Sequence, residues 1–309
     1  MDEAIVECVP NFSEGTDEAV VRSIISAMRV EGVRLLDWSM DADHNRSVVT
    51  VAGAPQSVVE SAVRGVGKAV ELIDLTRQRG VHPRIGSADV VPFVPVRGVT
   101  LEQCALLARQ AGAEVWRRFD VPVYLYGAAA ARPDRANLEE IRRGQFERLR
   151  EMVRREAARR PDVGGPELHR TAGATAVGAR QFLVAFNIYF DTADVSIVRT
   201  LAKEIRGSSG GLAGVKAMGV LAQGQAQLSM NITDLKATPV ATAYRRVCEL
   251  ADGNRVEPMK AELIGLVPES ECERDSDWLR LIDGFDPATK VIERRLEIPE
   301  EWPEDVTVA

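Results

Sequence analysis

The chain has 309 residues, 45% apolar and 28% charged, with a formal net charge of -7. That length accommodates about two ordinary domains with cores of their own and excludes a disordered polypeptide. The acidic balance excludes a sequence-independent grip on nucleic acid, and no stretch approaches the roughly 18 unbroken apolar residues of a membrane span.

The start, MDEAIVECVPNF, lacks a basic leader, so the expectation is a cytoplasmic protein without nucleic-acid or membrane partners. IVECV (5–9) reads as a strand, and DEAVVRSIISAMRV (17–30) sets Val20, Val21, Ile24, Ile25 and Met28 on one helical face. VRLLDW (33–38) and SVVTVAG (47–53) read as strands joined by a polar loop, Ser39 to Arg46. A helix begins at Pro55, a favoured first-turn residue, and turns Val58, Val59, Ala62, Val63, Val66 and Val70 inward. ADVVPFVPV (88–96) is a strand whose prolines place it at an edge or a bulge. TLEQ (100–103) has the form of a capping box and opens a helix to Arg118, after which VPVYLY (121–126) adds a strand.

Residues 127–180 are rich in Ala, Arg and Gly and include a predicted helix over 135–158. The earlier order then repeats: strand 182–190, helix 192–206, a hairpin over 215–233 around Gln223 and Gly224, a helix from Thr238 and Pro239, and a closing strand over 256–268. The expected architecture is an α+β sandwich of two ferredoxin-like βαββαβ subdomains, 1–180 and 181–309, with a ligand cleft between them. The acidic tail beyond Glu269 is expected to wrap the second half. Cys8, Cys104, Cys248 and Cys272 lie far apart without a CxxC pair and read as reduced thiols.

Three segments carry residue types suited to chemistry. The Ser39–Arg46 loop holds Asp41, Asp43, His44, Asn45 and Arg46 and exceeds the usual hairpin length, so a solvated turn and a functional loop are both open. Carboxylates and imidazole can ligate a metal, but no HExxH or twelve-residue calcium loop accompanies them, and no metal is expected. The glycine-rich stretches 164–180 and 206–216 miss the spacings of a dinucleotide fingerprint and a P-loop. Their glycines can still bring backbone amides against a flat or anionic ligand. In HPRIGSADVVPFVPVRGVT (82–100), Pro83 keeps His82 out of helical geometry, while Arg84 and Arg97 bracket it with positive charge. A histidine there is open to a structural role or to proton transfer near neutral pH.

Together with ECVPNFSEG (7–15), NR (45–46), VPVYLYG (121–127), GATAVGARQFLVAFN (173–187) and LIGLVP (263–268), that segment resembles the formiminotransferase domain family over nearly the whole chain. The resemblance implies two similar α/β subdomains and transfer of a formimino group from N-formimino-L-glutamate to N5 of tetrahydrofolate, the co-substrate, in histidine degradation. It also implies a homodimer, and the chain length implies the stand-alone form without a cyclodeaminase domain.

His82 matches the family histidine that moves the proton. Both substrates carry carboxylates, which guanidinium groups meet with bidentate hydrogen bonds. The implied donor contacts are therefore Arg46 and Arg84, followed by Asn45, His44 and Arg97. Gly173, Ala174, Thr175, Gly178, Arg180, Gly210 and Gly211 are the implied folate contacts. One departure stands out: Ser39 occupies a position where the bifunctional relatives carry a catalytic aspartate, so Asp41, or else Asp37, is expected to orient His82. Formyl transfer from N-formylglutamate and non-catalytic folate binding are the alternative functions.

Overall fold

The computed structural model describes residues 4–80, 82–298 and 302–303, and the chain divides into two units after Arg180. The first contains β1 (Ile5–Cys8), β2 (Asn11–Phe12), α1 (Glu18–Ala27), β3 (Val33–Asp41), β4 (Arg46–Gly53), α2 (Pro55–Leu72), β5 (Ala88–Arg97) and α3 (Leu101–Phe119). It continues through β6 (Val123–Gly127), α4 (Leu138–Arg142), α5 (Gln145–Arg155) and β7 (Thr175–Ala179). The second contains β8 (Val184–Phe190), α6 (Val195–Ile205), β9 (Val215–Ala222), β10 (Gln225–Ile232), α7 (Val240–Asn254) and β11 (Pro258–Ile264).

In the second unit the strands pair antiparallel in the order β11-β8-β10-β9, the ferredoxin-like arrangement of a βαββαβ chain. The β9–β10 hairpin closes through Gln223 and Gly224, both at positive φ, the geometry a two-residue hairpin turn requires. Phe186, Ile188, Leu228 and Met230 face Val198, Leu201 and Val247 in one core, and Trp278 closes it.

The first unit has the same plan, with an addition. β1 and β2 act as one interrupted strand between β4 and β5, and β3 forms the edge beyond β4. β7 then pairs parallel with both β5 and β6, extending the sheet past the βαββαβ core. The helix α3 makes that parallel crossover possible. It begins at the expected capping box, in which Thr100 and Gln103 bond reciprocally, and its apolar face packs on β5, β6 and β7.

Three expectations change. The long helix over 135–158 is broken into α4 and α5 at Gly144 and Gln145, both with positive φ, which no helix interior accommodates. The eight-residue loop shrinks to a four-residue turn, Ala42–Asn45, because the polar Ser39 and Asp41 continue the edge strand against Val48 and Arg46. The expectation for the tail changes only at Trp302, which packs against the first core, while Trp278, Leu281, Phe285 and Val291 pack on the second.

Candidate active site

Between α2 and β5 the described residues 73–80 and 82–87 form no helix or strand, yet neighbouring backbone holds them. Leu75 N donates to Thr171 O at 2.9 Å, Ser87 N to Ala172 O at 2.9 Å, Ala174 N to Ile85 O at 2.9 Å and Phe146 N to Arg84 O at 2.8 Å. His82 sits on this segment, half-buried beside the hairpin turn Ala42–Asn45.

The clamp between turn and segment is polar. Asn45, at φ 48, donates through Nδ2 to Arg79 O at 2.7 Å and to Gln78, while its Oδ1 accepts from Gly15 N at 2.9 Å. Gln78 in turn donates to the buried Glu14, whose Oε1 also accepts from Thr16 N at 2.7 Å and Asp17 N at 3.0 Å. Asn45 is thus committed to holding the segment that bears His82. Gly15 approaches so closely that an added Cβ would lie 2.2 Å from Asp41 O and 2.3 Å from Arg46 N. Gly15→Ala is expected to cost about 1–3 kcal/mol through overpacking, read as a lower midpoint in urea denaturation at an unchanged slope.

A narrow recess is lined by Phe12, Ser13, His44, Asn45, Arg46, His82, Arg84 and Asp89. Arg46 lies within hydrogen-bonding reach of His82, Nη1 against Nε2. A guanidinium has donors only, so Nε2 accepts and the neutral ring carries its proton on Nδ1. Burial, then the positive charge of Arg46 and Arg142, pulls the imidazole down to about 3, with Asp89 opposing. Burial and the repulsion of Arg142 bring Arg46 to about 10, so it remains a cation at neutral pH. Its Nε is buried without a partner, as are those of Arg84 and Arg142.

Arg84 is buried and donates through Nη2 to Gln78 O at 2.9 Å and Glu147 Oε1 at 3.0 Å. Beyond it opens a depression of about 470 Å³ lined by Arg79, Gly80, Arg84, Gly144, Gln145, Glu147 and Arg148. Arg84 is therefore shared by the recess at His82 and the wider depression.

Other expected site residues are placed elsewhere. Asp41 faces His44, accepting from His44 N at 2.9 Å and lying 3.0 Å from its Nδ1, so its carboxylate is directed to His44 rather than to His82. Arg97 is exposed at the far end of β5 from Asp89, about 27 Å along the strand, and does not join the cluster. Gly173, Ala174, Thr175 and Gly178 belong to β7 and the turn before it, where close packing accounts for both glycines. A Cβ at Gly173 would meet Ile85 O at 2.1 Å, and one at Gly178 would meet Tyr126 Cδ1 at 2.4 Å. Arg180 hydrogen-bonds the buried Tyr126, whose phenol burial pushes up to about 12. Gly210 and Gly211 follow α6 in the second unit, Gly210 at φ 91 with open space around it.

Asp89 and Arg142 are the site residues absent from the sequence reading. The signal for Asp89 was a lone carboxylate at the head of the otherwise apolar strand ADVVPFV. Arg142 is one of several arginines along 142–150, and only the fold brings it to Asp89. Among the described residues no three His, Cys, Asp or Glu side chains converge as a metal-ligating group, and no helix is long and apolar enough to cross a membrane.

A neutral imidazole packed among guanidiniums, on a two-unit α/β scaffold, defines a site suited to proton transfer beside an anionic ligand. Residues 5–180 match the Formiminotransferase domain, N-terminal subdomain, and residues 185–279 match the Formiminotransferase domain. A Glutamate formimidoyltransferase of Streptococcus pyogenes serotype M1 is 40% identical over 295 residues, covering 94% of this chain and 98% of that protein. One of Thermoplasma acidophilum is 40% identical over 299 residues, covering 95% of this chain and 98% of that protein. A Formimidoyltransferase-cyclodeaminase of Gallus gallus is 38% identical over 273 residues, covering 86% of this chain and 50% of that protein. The chain belongs to the formiminotransferase domain family.

Proposed function

We propose that the protein is a transferase that moves the formimino group of N-formimino-L-glutamate to N5 of tetrahydrofolate, yielding 5-formiminotetrahydrofolate and L-glutamate in histidine degradation. Support comes from family membership, and the observation that carries the site assignment is the uncharged His82 imidazole against Arg46, with Arg84 alongside.

In this reading the donor's carboxylate takes a guanidinium of Arg46 or Arg84, an ion pair with charge-assisted hydrogen bonds. Engaging Arg46 releases Nε2 of His82. N5 attacks the amidine carbon, and His82 takes the proton that N5 sheds. The same proton goes to the glutamate nitrogen as the tetrahedral centre collapses and the bond to that nitrogen breaks. One group acting as base and then as acid contributes about 10²- to 10⁴-fold, and the rest comes from holding the two substrates together.

Tetrahydrofolate is a co-substrate in this reading, and Gly173 and Gly178, packed against Ile85 and Tyr126, are not among its proposed contacts. Proton transfer in this scheme asks for no metal. We also assign the protein to the cytoplasm as a homodimer. Support for the dimer comes from family membership.

A spectrophotometric assay with tetrahydrofolate and each of N-formiminoglutamate and N-formylglutamate tests the reaction. Faster turnover of the formimino donor is expected. Faster turnover of the formyl donor would replace this reading with formyl transfer, and binding of tetrahydrofolate without turnover of either would make the protein a folate binder.

A further inference from the structure

Asp89 lies at the head of β5, 3% exposed, and lines the same recess as His82 and Arg46. Its Oδ1 accepts from Ile85 N at 2.8 Å, three residues beyond His82. Its Oδ2 receives Nη2 of Arg142, which arrives from the last turn of α4 with its Nε buried and unpartnered. A carboxylate so buried is retained where nearby cations and hydrogen bonds compensate its lost hydration.

The groups facing His82 come from four elements. Arg46 is on β4, His44 in the turn with Asp41 beside it, Arg142 on α4 and Asp89 on β5; Arg84 lines the recess from His82's own segment. With Asp41 turned to His44, Asp89 is the carboxylate that acts on the imidazole.

We propose that Asp89 and Arg142 are paired positioning residues of the site: Asp89 anchors the backbone that presents His82 and balances the surrounding guanidiniums, and Arg142 holds Asp89 in place. This inference rests on His82 being the proton-transfer group. The pair exerts opposite fields on the imidazole. Asp89 favours the protonated ring and Arg142 disfavours it, so removing each charge moves His82 in opposite directions.

Asp89→Asn keeps an oxygen for Ile85 N while removing the charge, and Arg142→Gln removes the opposing charge. The test is the imidazole titration of His82 by ¹H–¹⁵N NMR, with His82→Gln assigning its signals among the three histidines. Arg142→Gln is expected to raise the titration midpoint by about one pH unit and Asp89→Asn to lower it by about as much. The double variant should return toward the wild-type value. Turnover, where transfer is measured, should fall at least about tenfold in Asp89→Asn with KM for the anionic donor unchanged or lower, because a negative charge has been removed.

An unmoved His82 midpoint in Arg142→Gln, or shifts of the same sign in both variants, would overturn the proposal. The titration needs no substrate, so it stands or falls separately from the transfer assay. If Asp89→Asn does not fold, Arg142→Gln alone gives the decisive sign.

Discussion

Replacing His82 by glutamine is expected to leave the protein folded and to lower turnover at least about a hundredfold. Glutamine can still offer an oxygen to Arg46, so the hydrogen bond at Nε2 has a substitute, but it cannot take up and return a proton. The pH dependence follows from the same surroundings. In the free protein burial and Arg46 hold the imidazole near 3. The acidic limb of kcat/KM, which reports the free enzyme, should therefore lie far below the about 6.5 of an ordinary histidine. A donor carboxylate on Arg46 brings a negative charge beside the ring and offsets the guanidinium's field, so the complex holds the proton more tightly. The acidic limb of kcat is accordingly expected at higher pH than that of kcat/KM. Steady-state rates across a broad pH range, in wild type and His82→Gln, check both points. Near-wild-type turnover in the folded variant would remove His82 from the proton path, and coincident limbs would remove the link through Arg46.

That dependence on context explains what was legible in the sequence. Apolar periodicity and capping chemistry are local, so α3 with its Thr100 and Gln103 cap, the Gln223–Gly224 hairpin and the βαββαβ order could all be read directly. The strand β7 could not, because Thr175, Ala176, Gly178 and Ala179 present little side-chain bulk. Their sequence reflects the close approach of Tyr126 and of neighbouring backbone. The break between α4 and α5 was hidden for a related reason. Arginine-rich helical residues surround Gly144, and only the left-handed φ there and at Gln145 interrupts the run.

The site divides in the same way. His82, Arg46 and Arg84 were visible as scarce or charged residues in extended segments, and the recess brings them together. Asp41 was equally visible, but strand pairing carries β3 through to it and sets its carboxylate on His44. Asp89 and Arg142 are separated by 53 positions, and their pairing depends on where α4 packs, which no local pattern encodes.

Arg46→Gln is expected to raise KM for the donor and to lower kcat/KM by about 10- to 150-fold, corresponding to roughly 1.5–3 kcal/mol for a charge-assisted hydrogen bond. Stability should respond differently from activity. Arg46 has His82 as its described side-chain partner and a buried Nε with none, so its guanidinium bears a desolvation cost that Asp89, already engaged by Arg142, offsets only in part. Removing it should leave the thermal midpoint unchanged or raise it. Arg84→Gln, by contrast, strips hydrogen bonds from Gln78 O in the segment that carries His82 and from Glu147 on α5, and should lower the midpoint along with activity. Arg97→Gln, at the exposed far end of β5, should alter neither. The sign at His82 gives an independent check. Loss of the Arg46 charge lets the imidazole keep its proton to higher pH, so the acidic limb of kcat/KM should move upward in Arg46→Gln even as the constant itself falls. An unchanged KM together with an unmoved limb would place the donor's carboxylate elsewhere and leave Arg46 a bystander to the chemistry.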